Sequence, residues 1–150
     1  MARATMVGTR GAPTGVVMLT QMPHGVLDEV EVTGLSPGGH GFHIHAVGTC
    51  EPDSGAAGGR FNPADRRHGF GHVEGFHAGV LPNIHAAGNG AVRADDFTAD
   101  VTLAADAYNS PLDSDGSPII HSKPDTNGQS AGAGDRVTCG VIRRVQVDKT

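Results

Sequence analysis

The stretch Gly41-Phe42-His43-Ile44-His45-Ala46-Val47-Gly48 decides how this chain is read. Its apolar and polar residues alternate as in a β-strand, where successive side chains point to opposite faces. His43 and His45 therefore share one face, with Cα atoms roughly 6.5–7 Å apart, close enough for both imidazoles to reach one ion. A strand seldom spends two histidines on one face for packing alone. As a bare pattern H-x-H is unspecific, and the rest of the chain has to carry the metal reading.

The 150 residues fit one domain, 1–150, with an ordinary core. With 23 Gly, 9 Pro, one Tyr and no Trp, the composition favours short strands joined by many turns over a helical bundle. A net charge of −5 and the lack of a basic stripe argue against a nucleic-acid partner. An anionic substrate remains compatible, because a local positive funnel can override the global sign. No apolar run approaches the roughly 20 residues of a membrane-spanning helix. Met1 to Met6 lacks the apolar stretch of a signal peptide, which fits either a cytosolic protein or one whose leader has been removed. Cys50 and Cys139 fit neither C-x-x-C redox chemistry nor a cysteine-rich zinc module. Spacing alone leaves two buried thiols and a long-range disulfide equally open.

Strands are expected over residues 2–9, 14–21, 27–34 and 40–47, with a turn at Met22-Pro23-His24-Gly25. A long irregular segment, about 48–79, is rich in Gly, Pro, Asp and His, and ordered loops of that length are usually functional. Further strands are expected over 80–86, 97–103 and 117–121, then a second irregular stretch to Asp135 and a closing strand over 136–147. Eight short strands and two large loops make an all-β antiparallel barrel or sandwich. His43, His45 and His121 fall on strands and His68, His72 and His77 in the first loop, a clustering that strengthens the metal reading.

An ordered series of motifs is more specific. Gly41-Phe42-His43-Ile44-His45, Cys50, Gly59-Arg60-Phe61-Asn62-Pro63, His68-Gly69, His77-Ala78-Gly79, His121 and Gly134-Asp135-Arg136-Val137-Thr138-Cys139-Gly140-Val141-Ile142 follow one another along the chain. From Ala2 to Val147 the chain resembles the copper,zinc superoxide dismutase family, in a form similar to its bacterial members. The resemblance implies an eight-stranded Greek-key barrel with the metal site outside it, under two long loops. It implies His43, His45 and His121 as copper ligands, and His68 and His77 as two zinc ligands. It gives Asp125 as the carboxylate tying His43 to His68, and Arg136 as the arginine that draws superoxide to copper. Cys50 and Cys139 match the family's disulfide, which would favour a periplasmic or secreted protein. His40 matches a structural histidine and is assigned no metal. A homodimer is left open.

Two departures bear on the chemistry. Arg60 stands where the family has the histidine that bridges copper and zinc, and Val80 where it has a carboxylate zinc ligand. Three neutral imidazoles still suit copper. Guanidinium stays protonated and has no lone pair to donate, so Arg60 replaces nothing. A structural zinc wants four ligands, and only His68 and His77 remain, with His72, Asp65 and His85 more readily read as solvated residues. The expectation is a copper-only dismutase, slower than the two-metal site because the bridging histidine's proton delivery is gone. The alternative is a protein of the same fold that stores, buffers or passes on copper without turnover.

Overall fold

The structure, a computed structural model, describes residues 1–9, 11–45, 47, 49–50, 59–62, 78–104, 117–121, 123 and 134–145. Among these lie nine strands and no helix: β1 (Ala2–Gly8), β2 (Pro13–Met22), β3 (Gly25–Val32), β4 (Gly38–His45), β5 (Val80–Ala86), β6 (Val92–Thr98), β7 (Ser117–His121), β8 (Arg136–Cys139) and β9 (Ile142–Arg144). All pairings are antiparallel, in the order β5-β4-β7-β8-β1-β2-β3-β6. Hairpins join β1, β2 and β3, then the chain crosses to β4 and β5 before β6 returns beside β3, the Greek-key pattern. The two end strands, β5 and β6, lie against each other, which nearly closes the sheet into a barrel.

β8 and β9 are two halves of one barrel strand, since both pair with β1. The break falls at Gly140, where a Cβ would stand 2.6 Å from Met6 Sδ and 2.8 Å from the Thr5 carbonyl oxygen. The expected eighth strand over 136–147 is thus interrupted where β1 approaches too closely for any side chain.

Alternation fills the barrel. Ala2, Ala4 and Met6 of β1, Val17 and Leu19 of β2, and Val26, Val30 and Val32 of β3 are buried, while most of their neighbours are more exposed. Each fully buried aliphatic side chain of the Val, Leu or Ile kind contributes about 1.5–3 kcal/mol. β4 differs: every residue from His40 to His45 is buried, so both of its faces are covered.

One expected strand is misplaced. Phe97, Ala99, Val101 and Leu103 alternate in sequence, but the strand is Val92–Thr98, which pairs with β3 from Val26↔Thr98 to Val32↔Val92. Its inward residues, Val92, Ala94, Asp96 and Thr98, include two polar ones, and Phe97 points outward, half exposed. Polar residues on the inner face erased the alternation that a sequence reading looks for.

One of them, Asp96, forms an inward-facing acidic pair with Asp28 of β3. Asp28 and Asp96 stand directly opposite in the β3–β6 ladder and therefore share the inner face. Asp28 is 1% exposed, and neither of its carboxyl oxygens has a hydrogen-bond partner. Asp96 Oδ1 accepts the Phe97 N–H at 2.8 Å, while its Oδ2 is buried without one. In the β2–β3 ladder Asp28 stands opposite the buried Leu19. The other charged residues of β3 and β6, namely Glu29, Glu31, Arg93 and Asp95, are exposed on the outer face. Burial, and then the charge of Asp96, push Asp28 from 3.8 up to about 8. Burial also raises Asp96, against the Phe97 N–H that lowers it.

A carboxyl whose pKa is raised by folding stabilises the fold below its unfolded pKa, and that contribution is lost as pH rises through the folded value. The Asp28 contribution is therefore complete below about pH 4 and disappears by about pH 8 or above. Asp28→Asn is expected to gain stability relative to the native chain across that window. Denaturant unfolding at a series of pH values reads the difference; parallel stability curves would mean that Asp28 does not hold a proton.

Candidate metal centre

Strand register brings three histidines to one place. His43 pairs with position 119 and His45 with position 117, so all odd-numbered positions of β7 share their face. His121 is one of these. Phe42 and Ile44 go inward with Ile120, and the three imidazoles gather outside the barrel wall, all buried. Ring centroids lie 4.8 Å apart for His43–His121, 5.7 Å for His45–His121 and 6.2 Å for His43–His45. One nitrogen from each ring can be chosen so that all three lie within 4.8 Å of one another.

Hydrogen bonds orient the rings. His121 Nδ1 donates to the Gly134 carbonyl oxygen at 3.2 Å, which leaves the lone pair on Nε2. Arg60 Nε–H donates to His43 Nδ1 at 3.4 Å, which places a lone pair there too. These two nitrogens face each other at 3.2 Å. Two lone pairs aimed at a common point repel unless something positive lies between them. Bonds of about 2.0 Å from one ion to two nitrogens 3.2 Å apart subtend roughly 105°, close to tetrahedral. The donor set thus fits a soft or borderline transition metal that takes imidazole. His40 is not part of the group: its ring nitrogens lie 2.6 Å from the His121 carbonyl oxygen and 2.7 Å from that of Ser36, fastening β4 to β7.

A bulge supplies the neighbouring cation. Ile120 pairs with Thr138, but His121 pairs with Arg136, so Val137 is an extra residue in β8. Without it Arg136 would fall on the opposite face; with it, the arginine stands directly across from His121. Arg60 is positioned differently. It forms an isolated antiparallel bridge with His45, and the next residue donates Phe61 N–H to the Ile44 carbonyl at 2.7 Å. Gly79 completes the stitch, donating to Phe61 O at 2.8 Å and accepting from Ile44 N at 2.7 Å. A Cβ on Gly79 would stand 2.2 Å from the Ile44 carbonyl oxygen, so only glycine permits this approach. Val80 follows directly, buried and paired with His43, an apolar side chain that offers no ligand atom.

Cys50 and Cys139 form a disulfide with Cα atoms 6.0 Å apart. It anchors the start of the first long loop to β8, three residues from Arg136. His68, His77 and Asp125, with the substitutes His72 and Asp65, lie outside the described residues. His85 is exposed on β5 and does not join the cluster. Two features have no sequence signature: the Gly134 carbonyl that fixes the His121 ring, and the contact of Arg60 with His43.

Comparisons with known proteins give the family and the fold. The family described as copper/zinc superoxide dismutase (SODC) matches residues 13–142. A superoxide dismutase [Cu-Zn] of Caulobacter vibrioides is 40% identical over 148 residues, covering 95% of this chain and 85% of its own. The crystal structure of a SOD-like protein from Bacillus subtilis superposes with a TM-score of 0.87 at 32% identity, covering 93% of this chain and 96% of that one. The Cu/Zn superoxide dismutase from Brucella abortus gives 0.80 at 26% identity, over 95% and 100%. The chain belongs to the copper/zinc superoxide dismutase family.

Two measurements follow. Replacing His45 or His121 with Ala is expected to lower bound copper well below one per chain, read by elemental analysis after dialysis; unchanged stoichiometry in the double variant would remove these residues from the site. The disulfide closes a loop of 89 residues, worth about 4–5 kcal/mol in the chain-entropy model. Cys50→Ala with Cys139→Ala is expected to lower the unfolding free energy by that order, and a loss under 1 kcal/mol would show the loop to be held by other contacts.

Proposed function

We propose that the protein is a superoxide dismutase working with copper on His43, His45 and His121, with little or no zinc, in a single domain spanning 1–150. The observation that carries this reading is the convergence of three buried imidazoles with two lone pairs facing each other at 3.2 Å. Copper would supply a one-electron couple: one superoxide is oxidised to oxygen, and a second takes that electron and two protons to become hydrogen peroxide. The three rings hold the ion, and Gly134 and His40 keep the His121 end of the site in place.

Arg136 has the role of drawing in the anion, since it stands opposite His121 on the ligand face. Arg60 adds a second positive charge on the same side. With arginine and not histidine at position 60, protons for peroxide come from water or an ordered side chain. Placed proton donors typically contribute about 10²–10⁴-fold, which sets the expected deficit against a family member with the bridging histidine. Val80 offers no zinc ligand, and Arg60 repels a second cation. The disulfide fits an oxidising compartment, and a periplasmic or secreted location follows from that fit.

A second reading, copper storage or transfer without turnover, draws on one observation: a guanidinium occupies His43 Nδ1. Metal analysis alongside superoxide decay per bound copper separates the two. The dismutase reading expects copper near one per chain, zinc far below it, and a rate that falls with added salt, because steering charges are screened over about 8–10 Å near physiological ionic strength. Arg136→Ala is expected to slow the reaction further without releasing copper. Stoichiometric copper with no rate above buffer would leave copper handling as the function.

A further inference from the structure

The half of the barrel wall away from the histidines carries its outer charges in a self-complementary order. Arg143 of β9 stands opposite Arg3 of β1, Arg3 opposite Met18 of β2, Met18 opposite Glu29 of β3, and Glu29 opposite Asp95 of β6. The four charged residues are exposed, alternating with residues that face the core. Two cations therefore sit on one side of Met18 and two anions on the other. Each pair sets like charges directly opposite in a ladder, which destabilises an isolated sheet.

The neighbouring row is apolar. Thr20 pairs with Leu27 and Leu27 with Phe97, and at the end of β1 the Val145 N–H donates to the Met1 carbonyl at 3.1 Å. Met1, Phe97 and Val145 are three of the four exposed large hydrophobic residues among those described. Scattered singly, such residues need no explanation; gathered beside a charge pattern they mark an interaction surface.

We propose that this face of β9, β1, β2, β3 and β6 binds a second copy of the chain in a two-fold dimer. A two-fold axis between the faces, running along β2, sets each row against itself in reverse. Arg3 then meets Glu29 of the partner subunit, Arg143 meets the partner's Asp95, and the two Met18 side chains meet on the axis. In the apolar row Phe97 meets the partner's Val145, and Leu27 the partner's Met1. Like-charge pairs within one chain are thus answered by opposite charges across the interface. Aligned packing of twisted sheets, with strands within about 30° of each other, keeps the central contacts in reach. The walls are convex, so Met18 touches first and the long arginine side chains span the widening gap. Strands about 4.8 Å apart and rows about 6.8 Å apart give a footprint of about 24 by about 20 Å, or about 1,000 Å² over both partners, the low end for a specific interface. The dimer is therefore reversible, dissociating in the micromolar range. The histidine cluster, on β4 and β7, lies outside this contact.

Sedimentation equilibrium of the native chain from about 1 to about 500 μM tests the dimer. The mass is expected to rise from 15.3 kDa towards twice that value, and association to weaken several-fold in concentrated salt, where exposed charges are screened. Arg3→Glu sets like charges against the partner's Glu29, and Glu29→Arg does so against the partner's Arg3. Each variant alone is expected to dimerise at least about tenfold more weakly. Neither is expected to lose stability in urea unfolding of the dilute chain, since each turns a like-charge ladder pair of its own into an attractive one. An equimolar mixture of the two is expected to recover the native affinity, because both Arg3–Glu29 contacts are then between opposite charges again. Met18→Lys, which sets two like charges against each other on the axis, is a third variant expected to weaken association. Native protein that stays at 15.3 kDa throughout overturns the dimer, whatever else binds this face. A dimer that none of the variants weakens, or one that mixing fails to restore, overturns the two-fold pairing through these rows.

Discussion

A strand buried on both faces is the constraint from which the rest of this molecule follows. β4 sends Phe42 and Ile44 into the barrel and His43 and His45 out of it, and all four are removed from water. The inner pair is satisfied by apolar packing. The outer pair is satisfied only if something covers the wall and answers the ring nitrogens, because a buried polar group without a partner costs about 1–3 kcal/mol. The covering segment 59–62, the Gly79 approach and the disulfide are all devices for closing that outer face.

Strict alternation brings the three histidines together, and departures from it supply the charges around them. His43, His45 and His121 reach one face through uninterrupted β4–β7 register. Arg136 reaches it only because Val137 bulges out of β8. The opposite edge of β4 has its own irregularity, between His40 and Phe42, where two residues of β5, Pro82 and Asn83, face Gly41 alone. Proline cannot donate to a ladder, and a bulge is one of the few places in a sheet that accommodates it. Bulges at both edges of the histidine strand system let the sheet bend where the site is built.

This division explains what the sequence made legible. The H-x-H strand, the barrel class, the ordered motifs and the cysteine pair could be read because each depends on residue type and spacing. The β6 boundaries could not, since Asp96 and Thr98 occupy inward positions that a hydrophobic pattern reserves for aliphatic residues. The placement of Arg136 opposite His121 depends on one inserted residue, which reverses every facing beyond it and leaves no mark in composition. The Arg60–His43 contact joins a loop residue to a strand through tertiary packing alone. Of the positions expected on the zinc side, Val80 is apolar, buried and across from His43, and the possible substitute His85 is exposed on β5.

Among the described residues the barrel carries a buried carboxyl pair and a buried histidine cluster, and their chemistry separates them. Asp28 and Asp96 face inward among aliphatic side chains, with oxygens that accept but cannot donate. A proton suffices there: it turns one acceptor into a donor and halves the buried charge. The histidines face outward, and a proton would serve them less well. His121 already spends its N–H on the Gly134 carbonyl, and His43 Nδ1 already receives one from Arg60. What remains is a pair of lone pairs in a fixed, near-tetrahedral relation, beside a third ring on the same strand face. Such a site is answered by a cation that accepts several electron pairs at once, which a proton does not. The inner face of β3 and β6 thus raises a carboxyl pKa, while the outer face of β4 and β7 gathers nitrogen donors that could hold a metal, and the difference lies in which groups still have a hydrogen to give.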